Sequence, residues 1–286
     1  MASYTNLASL EGLNVGDVIT YTSTTAIDFK GYTVSVELLG KANSTFGGRT
    51  AFTIDTSKLP QKILSFNKRG DLIYGNTTDL YYRIAVAGNS GYKGGYKTLS
   101  PITTGTGGTG GSDSAGKGGE TRYSSAKAAG GTGGTQTSGK GFGSSEDSSI
   151  IGCGGYGWYS GNNGGTTTFS VGTFYGGGGG GSGFIIGVST TTYPSGYLGD
   201  NTDLQNTIMS TISDGTLQGG ASAKTSPEMI LTIISVSSGG SSTVSTFKYY
   251  NGTEFVNVQA KYFNGTEFVP CNAYRYNGTE FVDLGG

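Results

Sequence analysis

Between Thr104 and Gly187 the chain reads "GTGGTGGS", "AAGGTGGTQTSGKGFG", "GCGGYGWYSGNNGG" and "YGGGGGGSGF", with short polar stretches between the clusters. Glycine at this density argues against ordinary helices and strands, because each glycine gives up more backbone freedom on ordering than any other residue. Two arrangements remain. One is a structureless loop of roughly eighty residues, an uncommon thing inside a compact domain. The other is a bundle of extended helices with three residues per turn, made from glycine where proline is usual. Such helices have no internal hydrogen bonds, so each bare N–H and C=O must pair with a neighbouring helix. That close approach works only where Cβ is missing, which makes glycine a packing requirement. Aromatic residues inside the stretch (Phe142, Tyr156, Trp158, Tyr159, Phe174, Tyr175) favour the ordered bundle. Disordered glycine-rich chains are poor in aromatics, whereas this one has 19 Tyr and 13 Phe. No Gly-X-Y period runs through it, which excludes collagen.

The flanks read as β. Residues 17–23 ("DVITYTS"), 26–29, 32–40 ("YTVSVELLG"), 49–57 and 79–88 ("DLYYRIAVAG") alternate or cluster β-branched and aromatic side chains. In 32–40, Val34, Val36 and Leu38 share one face, with Thr33, Ser35 and Glu37 on the other, as in a strand with one wet face. In 79–88 the same alternation sets Tyr82, Ile84 and Val86 against Tyr81, Arg83 and Ala85. After the glycine stretch, "GFIIGV" (183–188) and "EMILTIISVSS" (228–238) return to strand texture. Residues 200–215 predict a short helix, capped by Asp200 or Thr202 and stopped by Gly215. The expected class is all-β: a sandwich begun by 1–103, interrupted by a glycine insertion at 104–187 and closed by 188–236. A linker, 237–246, and a repeat module, 247–286, follow.

That module consists of three thirteen-residue units, Lys248–Ala260, Lys261–Ala273 and Tyr274–Gly286, sharing aromatic-Asn-Gly-Thr-Glu-Phe-Val. Asn-Gly is the strongest short hairpin signal, so Asn251-Gly252, Asn264-Gly265 and Asn277-Gly278 are the predicted turns. A two-residue turn sets Tyr250 opposite Thr253, Tyr249 opposite Glu254 and Lys248 opposite Phe255. Single hairpins are barely stable, so the three are expected to stack in a meander or to pair between chains. Each Asn-Gly-Thr also matches a glycosylation sequon, read here as turn chemistry.

Chemistry is hard to find. With no histidine there is no Ser-His-Asp or Cys-His arrangement and no histidine-held metal. Glu120, Glu146 and Asp147 read as solvated surface, and Gly-x-Gly matches are inevitable in this composition. No enzyme activity, metal or cofactor is expected. A net charge of −1 with 13% charged residues leaves no electrostatic footprint for nucleic acid. No stretch approaches the roughly twenty apolar residues of a membrane span. The first residues lack the basic and apolar regions of a signal peptide, so synthesis and use in a cytosol, or release from it by lysis, is expected. Cys153 and Cys271 are compatible with two thiols or one bridge. What remains is surface: "YGWYSGNN" (156–163) sets Trp158 between Tyr156 and Tyr159 and beside Asn162 and Asn163. Such a cluster suits stacking on sugar rings and hydrogen bonding to their hydroxyls. Equally, those rings can cap the bundle or bury against the sandwich.

"DFKGYTVSVELLGKANSTFGGRTAFTI", "YYRIAVAGNSG", "GGTQTSGKGFG", "GGYGWYSGNNGG", "GGGGGGSGFI" and "GASAKTSPEMILTII" occur in that order. This succession, over roughly residues 15–236, resembles the glycine-rich domain shared by the anaplastic lymphoma kinase receptor family and by phage and prophage proteins of Gram-positive bacteria. The resemblance implies a tumour-necrosis-factor-like (jelly-roll) β-sandwich carrying a polyglycine II helix bundle. "KANSTFGG" and "RIAVAGNSGYKGG" depart from the more glycine-rich stretches usual at those points, which implies a trimmed or distorted first part of the bundle. The terminal repeats resemble modules that close phage tail and fibre proteins.

With no kinase, membrane segment or secretion signal beside it, the domain fits the phage branch. The expected protein is a virion component assembled in the bacterial cytoplasm. The leading role is a tail-fibre or baseplate adhesin that binds a host cell-surface glycan through Tyr156, Trp158, Tyr159, Asn162 and Asn163. The expected partners are other virion proteins of tail or capsid and further copies of this chain in a homotrimer. A capsid decoration or head-fibre protein is the alternative, and an envelope depolymerase a more distant one.

Overall fold

The computed structural model describes residues 1–96, 104–123, 125–142, 151–169, 172–189 and 192–236, together with short strands between 246 and 283. The chain divides into two compact units, Met1–Val236 and Ser237–Gly286. It is mostly β-strand, with one α-helix among the described residues.

In the first unit the leading strands are β1 (Ser3–Thr5), β2 (Val18–Tyr21), β3 (Thr24–Asp28), β4 (Thr33–Leu39), β5 (Gly47–Asp55), β6 (Ile63–Phe66), β7 (Asp71–Tyr74) and β8 (Arg83–Val86). Short pieces follow: β9 (Thr121–Tyr123), β10 (Ala126–Ala128), β11 (Gly141–Phe142), β12 (Tyr159–Ser160), β13 (Thr166–Phe169) and β14 (Gly172–Tyr175). The closing elements are β15 (Phe184–Ile185), α1 (Thr202–Ser210), β16 (Ile212–Ser222) and β17 (Glu228–Ser235). A six-stranded sheet has the order β1-β2-β17-β4-β5-β16, and a five-stranded sheet the order β15-β8-β7-β6-β3.

β17, the last strand of the unit, lies between two early ones, with Leu231 opposite both Ile19 and Val36. Its apolar alternation explains the position: Met229, Leu231 and Ile233 are buried. In β4 the expected alternation holds, with Val34, Val36 and Leu38 buried and Thr33, Ser35 and Glu37 half-buried. The buried residues of β4 and β17 share one hydrophobic cluster with Leu64, Phe66, Leu72 and Ile84 of the second sheet. Full burial of one such side chain stabilises by about 1.5–3 kcal/mol.

Several expectations need correction. Residues 79–88 are not one alternating strand: Leu80–Tyr82 form a 3-10 turn, and all four residues of β8 are buried, Arg83 included. The helix is capped by Asn201, whose side chain accepts from the Leu204 N–H, and not by Asp200 or Thr202. Gly215 does not stop it, since α1 ends at Ser210 and Gly215 lies inside β16.

The glycine segments leave the sheet after Val86 and return at Phe184, which pairs with Val86 itself. Between these neighbouring strands the backbone forms a closed hexagon around a central run, 176–182. Going along that run, successive N–H groups donate to Gly165, Gly119, Tyr92, Asn162, Gly116 and Asn89, all at 2.9 Å. The same three neighbours recur every third residue and in descending order, so they run antiparallel to the centre. Three parallel neighbours donate to the carbonyls of the run. Gly131 and Gly134 bond to Gly177 and Gly180, Gly108 and Gly111 to Gly178 and Gly181, and Gly155 and Trp158 to Gly179 and Ser182, at 2.7–2.9 Å.

The six outer segments also bond to one another in a ring, each link again at a three-residue interval. Gly91 and Gly94 donate to Gly108 and Gly105, and Gly116 and Gly119 to Thr109 and Thr106. Ala115 and Gly118 donate to Gly134 and Gly131, and Asn162 and Gly165 to Thr132 and Ala129. Gly161 and Gly164 then reach Gly155 and Gly152, and Asn89 and Tyr92 close the ring on Tyr156 and Cys153. A three-residue period is that of a polyproline-type helix. The ring includes 89–94, well before the boundary anticipated at 104, so "AGNSGYKGG" supplies a full member. The "KANSTF" connection between β4 and β5 lies along it: the Asn43 N–H donates to Ser90 Oγ, Ser44 Oγ to the Gly91 carbonyl and Thr45 Oγ1 to the Gly107 carbonyl.

In the second unit three hairpins form: β18 (Thr246–Tyr250) with β19 (Phe255–Gln259), β20 (Lys261–Phe263) with β21 (Phe268–Pro270), and β22 (Tyr274–Tyr276) with β23 (Phe281–Asp283). Their register differs from the two-residue-turn expectation. Tyr250 lies opposite Phe255, Phe263 opposite Phe268 and Tyr276 opposite Phe281, which leaves four residues in each connection. Four-residue connections are a common hairpin alternative, and this one sets an aromatic pair directly opposite in all three units. The predicted turn residues Asn251, Gly252, Asn264, Gly265, Asn277 and Gly278 lie outside the described residues, as does Cys271. Each hairpin is a separate two-stranded sheet among the described residues, with no ladder of the expected meander joining them.

Candidate functional site

The five residues proposed from sequence to read a sugar are split by the fold. Tyr156 and Trp158 are 1% and 0% exposed, so neither ring offers a face to a ligand. Trp158 stacks on Phe184 at 3.6 Å between ring centres and meets Phe142 and Tyr197 edge-on, while its indole Nε1 donates to the Gln136 carbonyl. Tyr159 is half-buried against Phe142. Asn162 and Asn163 secure the bundle. Asn162 Nδ2 donates to Thr132 Oγ1, and Asn163 Oδ1 accepts from the Gly154 N–H. The physical reason is that 155–158 is a ring segment wedged between the central run and β8, where large rings fill the join.

The join is built on a buried polar cluster that the alternation pattern did not anticipate. Arg83 and Asp71 are both fully buried and approach to 3.7 Å, Nη1 to Oδ1. Arg83 Nη1 donates to the Gly157 carbonyl at 3.1 Å, Nη2 to the Trp158 carbonyl at 3.3 Å and Nε to the Leu80 carbonyl at 2.9 Å. Its guanidinium lies over the Phe142 and Trp158 rings at 4.3 and 4.8 Å. Tyr156 Oη donates to Asp71 Oδ2 at 2.5 Å, and Asn67 Nδ2 donates to the same oxygen at 2.7 Å. One guanidinium thus ties sheet to bundle through backbone carbonyls, a geometry that five fixed donors suit.

Burial foremost, then the Asp71 carboxylate, pushes the Tyr156 phenol up from its ordinary 10.0. Burial does the same to Tyr21 and Tyr197. A phenol whose pKa rises on folding contributes stability that is fully present below the unfolded value and lost as pH climbs above it. The thermal midpoint is therefore expected to fall steadily above about pH 10, and Tyr156→Phe to flatten that fall. A calorimetric pH series measures both.

At the end of the bundle away from the sheet join, a second aromatic group gathers where no motif pointed. Phe174, buried, stacks on Tyr123 at 5.3 Å and contacts Tyr96 at 5.0 Å, and both tyrosines are half-exposed. Tyr175 is half-exposed beside them in sequence, and Lys93, Arg122 and Lys127 are exposed on the adjoining segments. The available signal was positional: Tyr96 directly follows a glycine segment of the ring, and Phe174 and Tyr175 lead into the central run. Of the carboxylates considered from sequence, Glu120 pairs with Arg122, while Glu146 and Asp147 lie outside the described residues. No group of three or more acidic, cysteine or histidine side chains fit to hold a metal occurs among the described residues. No helix among them is long and apolar enough to cross a membrane.

Comparison of the chain with protein-family models, with curated proteins and with solved structures gave no match.

Proposed function

We propose that the protein is a phage virion component, a tail-fibre or baseplate adhesin that binds a host cell-surface glycan without catalysis. In this reading the hexagon is a polyglycine II bundle, and the two sheets form a jelly-roll sandwich of the tumour-necrosis-factor type. The observation that carries the reading is the closed ring around 176–182, which holds a half-exposed aromatic and basic loop end on a fixed backbone scaffold. Recognition surfaces are commonly loops presented by a rigid frame, and aromatic faces with cationic neighbours suit sugars. The order of glycine motifs, which resembles that of phage proteins, supports the same reading. Trimerisation would multiply weak sugar contacts by avidity.

The test is adsorption of labelled protein to walls of Gram-positive bacteria. Saturable binding is expected, weakened about ten-fold in the double variant Tyr123→Ala, Tyr175→Ala. Failure to adsorb, with particles still infectious after deletion of the chain, would favour a decoration protein instead.

A further inference from the structure

A cleft of about 470 Å³ opens on the five-stranded sheet at its β3 edge, away from the bundle's loop end. Ile73 marks the face concerned: it is fully buried and lines the cleft, yet it does not belong to the hydrophobic core shared by the two sheets. Phe66 also lines it, Thr24, Thr25, Thr77 and Thr78 contribute hydroxyls and methyl groups, and Asn67 and the exposed Lys68 line it as well. A smaller cleft of about 290 Å³ continues from it, sharing Ser23 and Lys68 and adding Lys41. Among the described residues no carboxylate lines either one.

The cleft's floor is also irregular in a defined way. β3 carries a bulge between Thr24 and Ile27, and Ala26 within it takes a φ of +55°, a left-handed backbone rare for a residue with a Cβ. Ser65 Oγ holds this conformation, accepting from the Ala26 N–H at 3.1 Å while donating to the Gly75 carbonyl at 2.8 Å. Bulges of this kind re-aim side chains and gather beside functional sites, and an observed backbone outlier is ground for asking what it serves.

We infer that this groove binds an oligosaccharide bearing anionic substituents. Its volume lies in the range of small-molecule sites, about 300–1,000 Å³. Its threonine hydroxyls both donate and accept, as sugar hydroxyls require. Lys68, at the junction of the two clefts, supplies a positive charge with no lining carboxylate to cancel it, so a phosphate or sulfate group is favoured over a neutral sugar. The site is separate from the loop end invoked for host binding.

The test uses the purified full chain on an array of phosphorylated, sulfated and neutral oligosaccharides. Retention of anionic glycans is expected. Lys68→Gln lowers it about ten-fold and brings anionic and neutral members of a pair level. Thr25→Trp, which fills the cleft from an exposed position, abolishes it with the thermal midpoint unchanged. The Tyr123→Ala, Tyr175→Ala variant retains it. No anionic glycan above background, or binding indifferent to Lys68→Gln and Thr25→Trp, overturns the inference. Adsorption to cell walls that survives either cleft variant but fails in the loop-end variant leaves the adhesin reading standing without it.

Discussion

Gly178→Ala is expected to leave the first unit largely unfolded, with most protein insoluble or melting far below the parent. A Cβ at Gly178 meets the backbone carbonyl of Cys153 well inside 3.0 Å and the Gly154 nitrogen at 2.7 Å. No flexible side-chain tip is there to swing aside. Relief requires the 152–158 segment to move, yet that segment is bonded to both of its ring neighbours and, through Gly155 and Trp158, to the central run. Overpacking ordinarily costs about 1–3 kcal/mol. Here it also breaks buried backbone pairs, so a cost above about 4 kcal/mol is expected, against a typical net stability of about 5–15 kcal/mol. Gly219→Ala is the control: its nearest contact would be Ser112 Oγ at 3.4 Å, and a change within about 0.5 kcal/mol is expected. Denaturant titration of the two variants reads the difference directly.

Arg83→Met has the second largest expected effect, about 3–5 kcal/mol by denaturant unfolding. It removes the guanidinium that caps the Gly157 and Trp158 carbonyls and strands the fully buried Asp71 carboxylate. Asp71 Oδ1 has no hydrogen bond of its own and depends on the 3.7 Å approach of Arg83. The double variant Arg83→Met, Asp71→Leu is expected to recover part of the loss, because no unpaired charge then stays in the core. Equal losses in the single and double variants would mean that the carbonyl contacts, not the ion pair, dominate.

What could be read from the sequence followed the physics available to it. β4 and β17 were legible because each has one wet face, and period-two alternation records that directly. β8 was legible as a strand within 79–88, but its burial on both faces was not, since Arg83 in the core looks the same in sequence as an arginine in water. β16 escaped notice because its glycines and polar residues read as a helix end and a loop, whereas its long pairing with β5 is a tertiary matter. The glycine stretch announced its need for close backbone approach. Which run would be central depended on which one lacks a bulky side chain on every side, and 176–181 satisfies that with six consecutive glycines. Trp158 shows the limit most clearly. Its neighbours Tyr156, Tyr159, Asn162 and Asn163 are the residue types of a sugar site, but the same rings are the best available filler where bundle meets sheet. Composition alone does not separate those uses. The hairpin units were legible as hairpins, while their register leaves four residues between the paired strands where two were expected.

Amide hydrogen exchange resolved along 176–182 tests the hexagon most directly. The N–H groups from Gly176 to Gly181 donate to three ring segments in turn, in a three-residue rotation, so all six should exchange only on opening of the whole bundle. Protection comparable to that of Leu231 and Ile233 in β17 is the predicted result. Exchange at the rate of an unstructured glycine peptide throughout the run would contradict it.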